Sequence, residues 1–157
     1  MIRPIAKNDN PFLAQLIREV FEEHEAPKEG TVYSDPTTDQ LYQLFQTKNS
    51  ACFVLEENNV IGGCCGIFPT KGLPKDHVEL LKFYLHPSFR GKGLGKALFE
   101  KCLIAAKIMG YAAVYIESQE VFKKAVQLYK SYGFKHLPAA LGNSGHYNCR
   151  IWMLKKM

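Results

Sequence analysis

The sequence has no hydrophobic run that approaches the length of a membrane-spanning helix, which argues against an integral membrane protein. It also has no internal repeat, low-complexity tract or linker, so we expect one domain over residues 1–157. The five cysteines form an odd count without the spacing of metal ligands, which predicts buried thiols, no metal site and a reducing cytoplasm. The first residues lead into a predicted strand rather than a signal peptide.

Positive charge exceeds negative charge, and the formal net charge is +5. The lysines are nevertheless spread along the chain, and the only local cluster of positive charge is formed by Arg90, Lys92 and Lys96. No basic segment with interleaved aromatic residues is present, although a nucleic-acid surface would be expected to have one. We therefore predict a small anionic ligand and no nucleic-acid partner.

The positive cluster lies in a glycine-rich run, Arg90–Gly95, between an apolar segment and an amphipathic one. Its three glycines allow a tight turn and a close approach of the backbone to a ligand. The first N–H groups of a following helix lack intrahelical partners and carry the positive end of the helix dipole. The run therefore predicts a phosphate or diphosphate site, although such a pattern alone is also compatible with a simple turn.

The spacing of the glycines disagrees with two common phosphate loops. A nucleotide-hydrolase loop has four residues between its glycines and a hydroxyl residue after its lysine. Here three residues separate Gly91 from Gly95, and Ala97 follows Lys96. A dinucleotide-binding fingerprint requires a third glycine where this chain has Lys96. A nucleotide-binding kinase is therefore disfavoured.

The segments around the loop predict a crossover unit. Val78–Leu85 is apolar almost throughout and is typical of a buried strand. Apolar residues then recur at helical spacing up to Gly110, and Ala112–Ile116 predicts a second strand before a helix over Val121–Tyr132. In such a unit, the ligand site lies at the carboxyl end of the first strand.

This unit resembles the GNAT superfamily of N-acetyltransferases. The segment Glu79–Leu98 is similar to the acetyl-CoA motif of that family, with Arg90, Gly93 and Gly95 in its glycine pattern. The segment Ala125–Phe134 is similar to the second motif, so the resemblance covers roughly residues 78–136.

Two further segments, Tyr33–Pro36 and Gly145–Met153, resemble a bacterial subgroup of the family. Members of that subgroup occur alone or fused to a winged-helix regulator domain. We expect no such regulator in this chain.

The resemblance implies an α/β fold with a mixed, mostly antiparallel central sheet flanked by helices in a single domain. The remaining sequence patterns agree with this order of elements. They predict a strand at Ile2–Ala6, a helix from Pro11, a long loop over Glu23–Asp39, a short helix near Thr38–Phe45, strands at Cys52–Glu56 and Val60–Phe68, and a last strand at His146–Leu154.

The resemblance also implies acetyl-CoA as the acetyl donor. The amides of the glycine loop would face its diphosphate, and the backbone of a short stretch of the preceding strand would pair with its pantetheine arm. The Leu85 N–H would donate to the thioester carbonyl. The cofactor-binding residues predicted in this way are Phe83, Tyr84, Leu85, Arg90, Gly91, Lys92, Gly93, Leu94, Gly95 and Lys96.

Two side chains are candidate catalytic residues. Glu79 is a lone carboxylate in an apolar strand, where burial should raise its pKa toward neutrality and suit it to act as a base. The alternatives are a glutamate that faces solvent or one that orients the substrate. Tyr129 matches the family's tyrosine that protonates or hydrogen-bonds the departing thiolate, although it also lies on an apolar helix stripe and could be a core aromatic. Phe122 departs from the family pattern, which often has Asn there.

The acceptor pocket is expected to come from the loop Glu23–Asp39 and the C-terminal strands. Tyr33, Asp35 and His146 are the candidate substrate-binding residues. Three glutamates near the end of the first helix could bind an amine, although a solvated helix end explains them as well: Glu22, Glu23 and Glu25. His146 and Cys149 could equally be core residues, and a cysteine nucleophile is not expected.

The predicted function is acetyl transfer from acetyl-CoA to a primary amine of a small molecule or peptide, by direct attack in a ternary complex. The alternative is a module of the same fold that senses acetyl-CoA without turnover. Homodimers are common in the family, so the resemblance is compatible with a homodimer.

Overall fold

The structure is a computed structural model that describes all residues 1–157. Seven strands form one sheet in the order β1-β2-β3-β4-β5-β7-β6, and only the β4–β5 pair is parallel. The strands are β1 (Ile2–Pro4), β2 (Ala51–Glu57), β3 (Val60–Phe68), β4 (His77–Leu85), β5 (Ala113–Ser118), β6 (Lys135–His136) and β7 (Ile151–Lys156). The helices are α1 (Asn10–Glu23), α2 (Leu41–Leu44), α3 (Leu94–Ile108) and α4 (Lys123–Ser131).

Helices cover both faces of the sheet, so there are two apolar cores. One core packs Phe99 of α3 and Tyr129 of α4 against the sheet, and the other packs Phe21 of α1 against the opposite face. The neighbouring Cys64 and Cys65 point into different cores, as strand alternation requires. The predicted fold class, a mixed and mostly antiparallel sheet flanked by helices, is confirmed.

The crossover unit is also confirmed, and its two strands diverge. Parallel pairing joins His77–Glu79 of β4 to Ala113–Tyr115 of β5, and no pairing continues beyond it. On the other edge of β4, the register with β3 shifts between Cys64 and Gly66, so that two residues of β4, Lys82 and Phe83, face one residue of β3. This bulge and the divergence open a cleft between the carboxyl ends of β4 and β5.

The last strand begins later than predicted. Residues 146–150 are not part of the sheet, because their backbone bonds go elsewhere: Asn148 N–H donates to Gly30 O at 3.0 Å, and Cys149 N–H donates to His146 O at 3.1 Å. The predicted strand start at His146 is therefore wrong, and Cys149 lies in a loop. The helix α4 likewise begins at Lys123 rather than at Val121.

None of the helices is both long and apolar enough to cross a lipid bilayer. All five cysteines are buried free thiols.

Candidate active site

The cleft between β4 and β5 widens into a cavity of about 680 Å³. Its walls come from the carboxyl ends of both strands, the end of α1, the glycine loop, the first turns of α4 and the loop before β7. The predicted site residues that line it are Glu79, Phe83, Tyr84, Leu85, Arg90, Gly91, Gly93, Gly95, Lys96, Tyr129 and His146. Residues far apart in the sequence therefore meet at the place that the crossover unit predicted.

The glycine loop leaves a row of free backbone donors at this cavity. Gly91 has φ +74° and Gly93 has φ +76°, a left-handed conformation that favours glycine. The first backbone bond of α3 is from Ala97 N–H to Gly93 O, and none of the amides from Gly91 to Lys96 donates within the chain. A Cβ added to Gly91 or Gly93 would meet nothing within 4 Å. The space in front of these amides is therefore open to an anion.

Arg90 does not supply a free charge to this loop. Its guanidinium donates to both carboxylate oxygens of Glu23, at 2.7 and 2.8 Å, and to Leu85 O at 2.8 and 3.0 Å. The hydrogen bonds and charge of Arg90 lower the pKa of Glu23. This contact ties the end of α1 to the end of β4, so the charge of Arg90 is paired within the chain although Arg90 lines the cavity. The exposed lysines Lys92 and Lys96 remain the mobile positive charges.

The end of β4 presents a free backbone donor, the Leu85 N–H, to the cleft. His86 N–H donates to Gly62 O at 2.9 Å, which places Leu85 opposite Gly63 in a non-hydrogen-bonded pair. The Leu85 N–H therefore points away from β3 and toward the cleft. This geometry fits an extended chain with amide groups, such as a pantetheine arm, pairing with Phe83–Leu85.

Tyr129 lies on α4 and is 5% exposed. Its ring packs among Phe83, Phe99 and Phe134, with centroid distances of 6.4, 5.6 and 6.1 Å. The hydroxyl makes no hydrogen bond within the chain, and the residue lines the cavity. Burial raises the pKa of Tyr129, so the phenol keeps its proton and can donate it. The residue is thus both a core aromatic and a donor at the cavity.

Glu79 is 2% exposed and accepts a hydrogen bond from the Thr70 hydroxyl. Burial raises its pKa to about 8, with a further contribution from the charge of Glu117, while Thr70 and Lys82 act in the opposite direction. The predicted upward shift is confirmed, and the alternative of a solvent-facing glutamate is wrong. A carboxyl group with this pKa can accept a proton near neutral pH.

The pKa of Glu79 has a consequence for stability that a single substitution can test. The folded protein holds the proton up to about pH 8, whereas an unfolded glutamate releases it near its ordinary value of 4.5. Glu79 therefore makes the folded state less stable as pH rises from about 4.5 through about 8. Glu79→Gln removes this loss, so the variant should gain stability relative to the parent across that window. Urea unfolding at several pH values measures the difference, and parallel curves would contradict the assigned pKa.

Sequence reasoning missed Glu117, which faces Glu79 from β5. Its carboxylate accepts hydrogen bonds from the hydroxyls of Tyr115, at 2.7 Å, and Ser144. Tyr115 in turn accepts from Leu141 N–H at 3.0 Å, so this network holds the loop before β7 over the cavity. The feature that could have revealed Glu117 is a single carboxylate in an otherwise apolar strand, the same pattern that identified Glu79.

A second cluster joins Asp35, His146 and Lys82 across large sequence separations. Asp35 Oδ2 lies 2.7 Å from His146 Nε2 and 3.7 Å from Lys82 Nζ. Burial opposes ionisation of Asp35, but the hydrogen bonds of His146 and Thr37 and the charge of Lys82 hold its pKa well below its usual range. His146 and Lys82 line the cavity, and Asp35 lies behind them. Sequence reasoning missed Lys82. The feature that could have revealed it is a single lysine within an otherwise apolar strand.

Most of the other predicted acceptor residues lie outside the cavity walls. The Tyr33 hydroxyl donates to Glu22 at 2.8 Å, and its ring packs on Phe21 outside the cavity walls. The prediction that Tyr33 lines the acceptor pocket is therefore wrong. Glu22 and Glu25 also lie outside the walls, whereas Glu23 lines the cavity with its carboxylate held by Arg90. The alternative of a helix end that does not bind an amine thus describes these glutamates better.

Phe122 fills the position where the resemblance led us to expect Asn. Its ring packs edge-on against Phe21 at 5.4 Å and against Tyr84 at 6.3 Å, and it gives the cavity an aromatic wall. Cys149 lies in the cavity wall with its pKa raised to about 12 by burial and by the charges of Glu117 and Glu79. Such a thiol stays protonated and is a poor nucleophile.

Comparisons with known proteins agree with this geometry. The family described as the Acetyltransferase (GNAT) family matches residues 15–134. YjgM of Escherichia coli K12, an uncharacterized N-acetyltransferase, is 38% identical over 159 residues, which cover 100% of this chain and 95% of that protein.

Two solved structures have the same fold. An acetyltransferase of the GNAT family from Staphylococcus aureus Mu50 has a TM-score of 0.85 at 16% identity, with 99% of this chain and 98% of that chain covered. A phosphinothricin acetyltransferase from Sinorhizobium meliloti, solved in complex with acetyl-CoA, has a TM-score of 0.78 at 18% identity. The match covers 100% of this chain and 88% of that chain.

Proposed function

Because the chain belongs to the GNAT family of acetyltransferases, we propose that it transfers an acetyl group from acetyl-CoA to a primary amine of a small molecule or peptide. The observation that carries this proposal is that one cavity contains the free amides of the glycine loop, the buried carboxyl of Glu79 and the unpaired hydroxyl of Tyr129. The complex of the similar phosphinothricin acetyltransferase with acetyl-CoA supports the donor.

Acetyl-CoA would supply an activated acyl group as a thioester. The amides of Gly91–Lys96 would hold its diphosphate, and the backbone of β4 at Phe83–Leu85 would pair with the pantetheine amides. The Leu85 N–H is oriented to donate to a carbonyl in the cleft, which would stabilise negative charge developing on that oxygen. These contacts hold the donor beside the space left for the acceptor.

One proton leaves the ammonium group before attack, because a protonated amine has no lone pair. An alkyl amine has a reference pKa of about 10.4 and is mostly protonated at neutral pH. Glu79 can accept this proton, directly or through water, since its pKa is about 8. As the C–S bond breaks, Tyr129 can donate its phenolic proton to the departing thiolate, and the second proton released by the attacking nitrogen would restore the phenol through water. The amine attacks directly in a ternary complex, without an acyl-enzyme, and the high pKa of Cys149 supports this route.

All five thiols are free, which supports a reducing, cytoplasmic setting for this activity.

Replacing Glu79 by Gln should change the pH profile of transfer. At pH 7 a carboxyl group with a pKa of about 8 is ionised in about a tenth of the molecules. The kcat/KM of the parent should therefore rise with pH up to about 8. The kcat/KM of the variant should lack this rise, so the difference between the two proteins should be largest at alkaline pH. Release of free thiol from acetyl-CoA, followed at several pH values, measures both profiles. If the variant showed the same rise in kcat/KM near pH 8 as the parent, Glu79 would not be the base and would have only a structural role.

Calorimetric titration with acetyl-CoA, with ATP as the control, tests the donor first. We expect binding of acetyl-CoA in the micromolar range and no binding of ATP. A panel of amines is then screened for release of free thiol, and acceleration by at least one amine supports the proposal. Binding without transfer to any amine would instead indicate the sensing module, and no binding of acetyl-CoA would overturn the proposal.

A further inference from the structure

Two buried polar side-chain atoms in this protein lack a hydrogen-bond partner, and both belong to residues that line the same cavity. They are Lys82 Nζ and Gln119 Oε1. The Lys82 side chain is 1% exposed, and Gln119 is 5% exposed. An unpaired buried polar group costs free energy, so such atoms indicate partners that a ligand provides.

Lys82 is held at the cavity by its backbone as well as by its neighbours. It lies at the bulge of β4 with φ +56°, a conformation that is unfavourable for lysine. A bulge redirects a side chain, and strain of this kind is retained where the surrounding structure enforces it. The fold thus places an ammonium group in the cleft between β4 and β5.

Asp35 is the nearest anion to Lys82, but it does not satisfy the ammonium group. Its Oδ2 lies 3.7 Å from Lys82 Nζ, beyond hydrogen-bond length, and is bonded to His146, while its Oδ1 accepts from Thr37. Asp35 also lies behind Lys82 rather than in the cavity wall. None of the three donors of the ammonium group therefore has a hydrogen-bond partner within the chain.

The charges around Lys82 favour one further anion. Burial lowers the pKa of Lys82 below its ordinary value, and the charges of Asp35 and Glu79 oppose this only in part. With its pKa of about 8, Glu79 is mostly neutral at pH 7, so it contributes little negative charge there. A carboxylate bound at Lys82 would add to the groups that keep the ammonium protonated.

Gln119 has the opposite requirement. It directly follows β5, and its Oε1 can only accept hydrogen bonds. A partner for this atom must carry N–H or O–H groups. A small molecule that carries both an anionic oxygen and an N–H donor could therefore pair with Lys82 Nζ and with Gln119 Oε1.

We propose that the acceptor is a free amino acid, whose carboxylate binds Lys82 and whose amino group donates a hydrogen bond to Gln119 Oε1. This inference rests on the proposed N-acetyltransferase function and narrows it. A simple alkyl amine would leave Lys82 unpaired, and the amino end of a peptide has no free carboxylate next to it. The amino group bound at Gln119 would be the one that attacks the thioester, and its proton would pass to Glu79.

Matched acceptors test this proposal. The standard amino acids are screened for thiol release, and the best is compared with its carboxamide and with the amine that lacks the carboxyl group. We expect kcat/KM for the amino acid to exceed that of either derivative by at least about tenfold, because a charge-assisted hydrogen bond is lost. Lys82→Met should remove this preference while retaining the affinity for acetyl-CoA, and Gln119→Leu should raise KM for the amino acid.

Lys107→Met is the matched control, because Lys107 is exposed on α3, away from the cavity. It should retain the preference for the amino acid. Equal use of the three acceptors by the parent protein would overturn the proposal, as would a preference that persists in Lys82→Met. A loss of transfer to all acceptors by the same factor in Lys82→Met would also overturn it, since that would make Lys82 a general catalytic group.

Binding to the protein saturated with CoA separates this proposal from the proposed function. Calorimetry with the same amino acid and its carboxamide measures the carboxylate subsite without turnover. Binding that requires both the carboxylate and Lys82, in a protein that acetylates nothing, supports the subsite and overturns the proposed function. Acetylation of amines without any Lys82-dependent binding of amino acids supports the function and overturns the subsite.

Discussion

Tyr129→Phe should lower kcat by about a hundredfold or more while the Kd for acetyl-CoA changes by no more than about twofold. The substitution removes one hydroxyl that has no partner within the chain and leaves the aromatic packing with Phe83, Phe99 and Phe134 in place. The proton for the departing thiolate then has to come from water. Single-turnover kinetics for kcat and calorimetry for Kd measure the two quantities separately.

Tyr132→Phe is the matched control for this experiment. Tyr132 lies one turn beyond Tyr129 and packs against the same Phe99 ring at 5.1 Å, but its hydroxyl donates to Glu100 outside the cavity. This variant should keep the parent kcat. A normal kcat in Tyr129→Phe, or the same loss in both variants, would show that Tyr129 has only a packing role.

Gly93→Asp should weaken acetyl-CoA binding by about a hundredfold or more, since two effects add. Gly93 has φ +76°, and a residue with a Cβ in this conformation costs about 1 kcal/mol. The side chain would also put a carboxylate in the open space before the free amides, where it would repel a diphosphate and compete for the same donors. Calorimetric titration with acetyl-CoA measures the loss, and circular dichroism checks the fold.

Gly110→Asp separates these two effects. Gly110 follows the other end of α3 with φ +85°, and a Cβ added there also meets nothing within 4 Å. The backbone cost is therefore similar, but no anion site is nearby. This variant should bind acetyl-CoA as the parent does, and unchanged binding by Gly93→Asp would contradict the anion site at the loop.

The parts of the site that sequence reasoning predicted are local in the chain. The strand, loop and helix from Val78 to Met109 are specified by apolar periodicity and glycine positions within one segment. Glu79 could be found because a carboxylate seldom lies in a buried apolar strand unless it is paired or functional. Lys82 and Glu117 are equally isolated charges in apolar strands, but neither occupies a defined position of the family motifs, so the resemblance assigns no role to them.

The parts that could not be predicted depend on contacts across the chain. Arg90 pairs with Glu23, which is 67 positions away, and His146 meets Asp35 across 111 positions. A charged residue near a glycine loop gives no sign of whether its partner is a ligand or a distant carboxylate. The predicted start of β7 was wrong for a similar reason, because the Asn148 N–H bonds to Gly30 O, 118 positions earlier in the chain. The resemblance to a subgroup with winged-helix fusions stays a prediction.

The most direct test of acetyl transfer is to follow an isotope-labelled acetyl group from acetyl-CoA in the presence of the best amine from the screen. We expect the label to appear in an amide of that amine by NMR, in amounts equal to the free thiol released and with none on the protein. Label that stays in the thioester, appears only as free acetate, or accumulates on the protein would contradict direct transfer to an amine in this cavity.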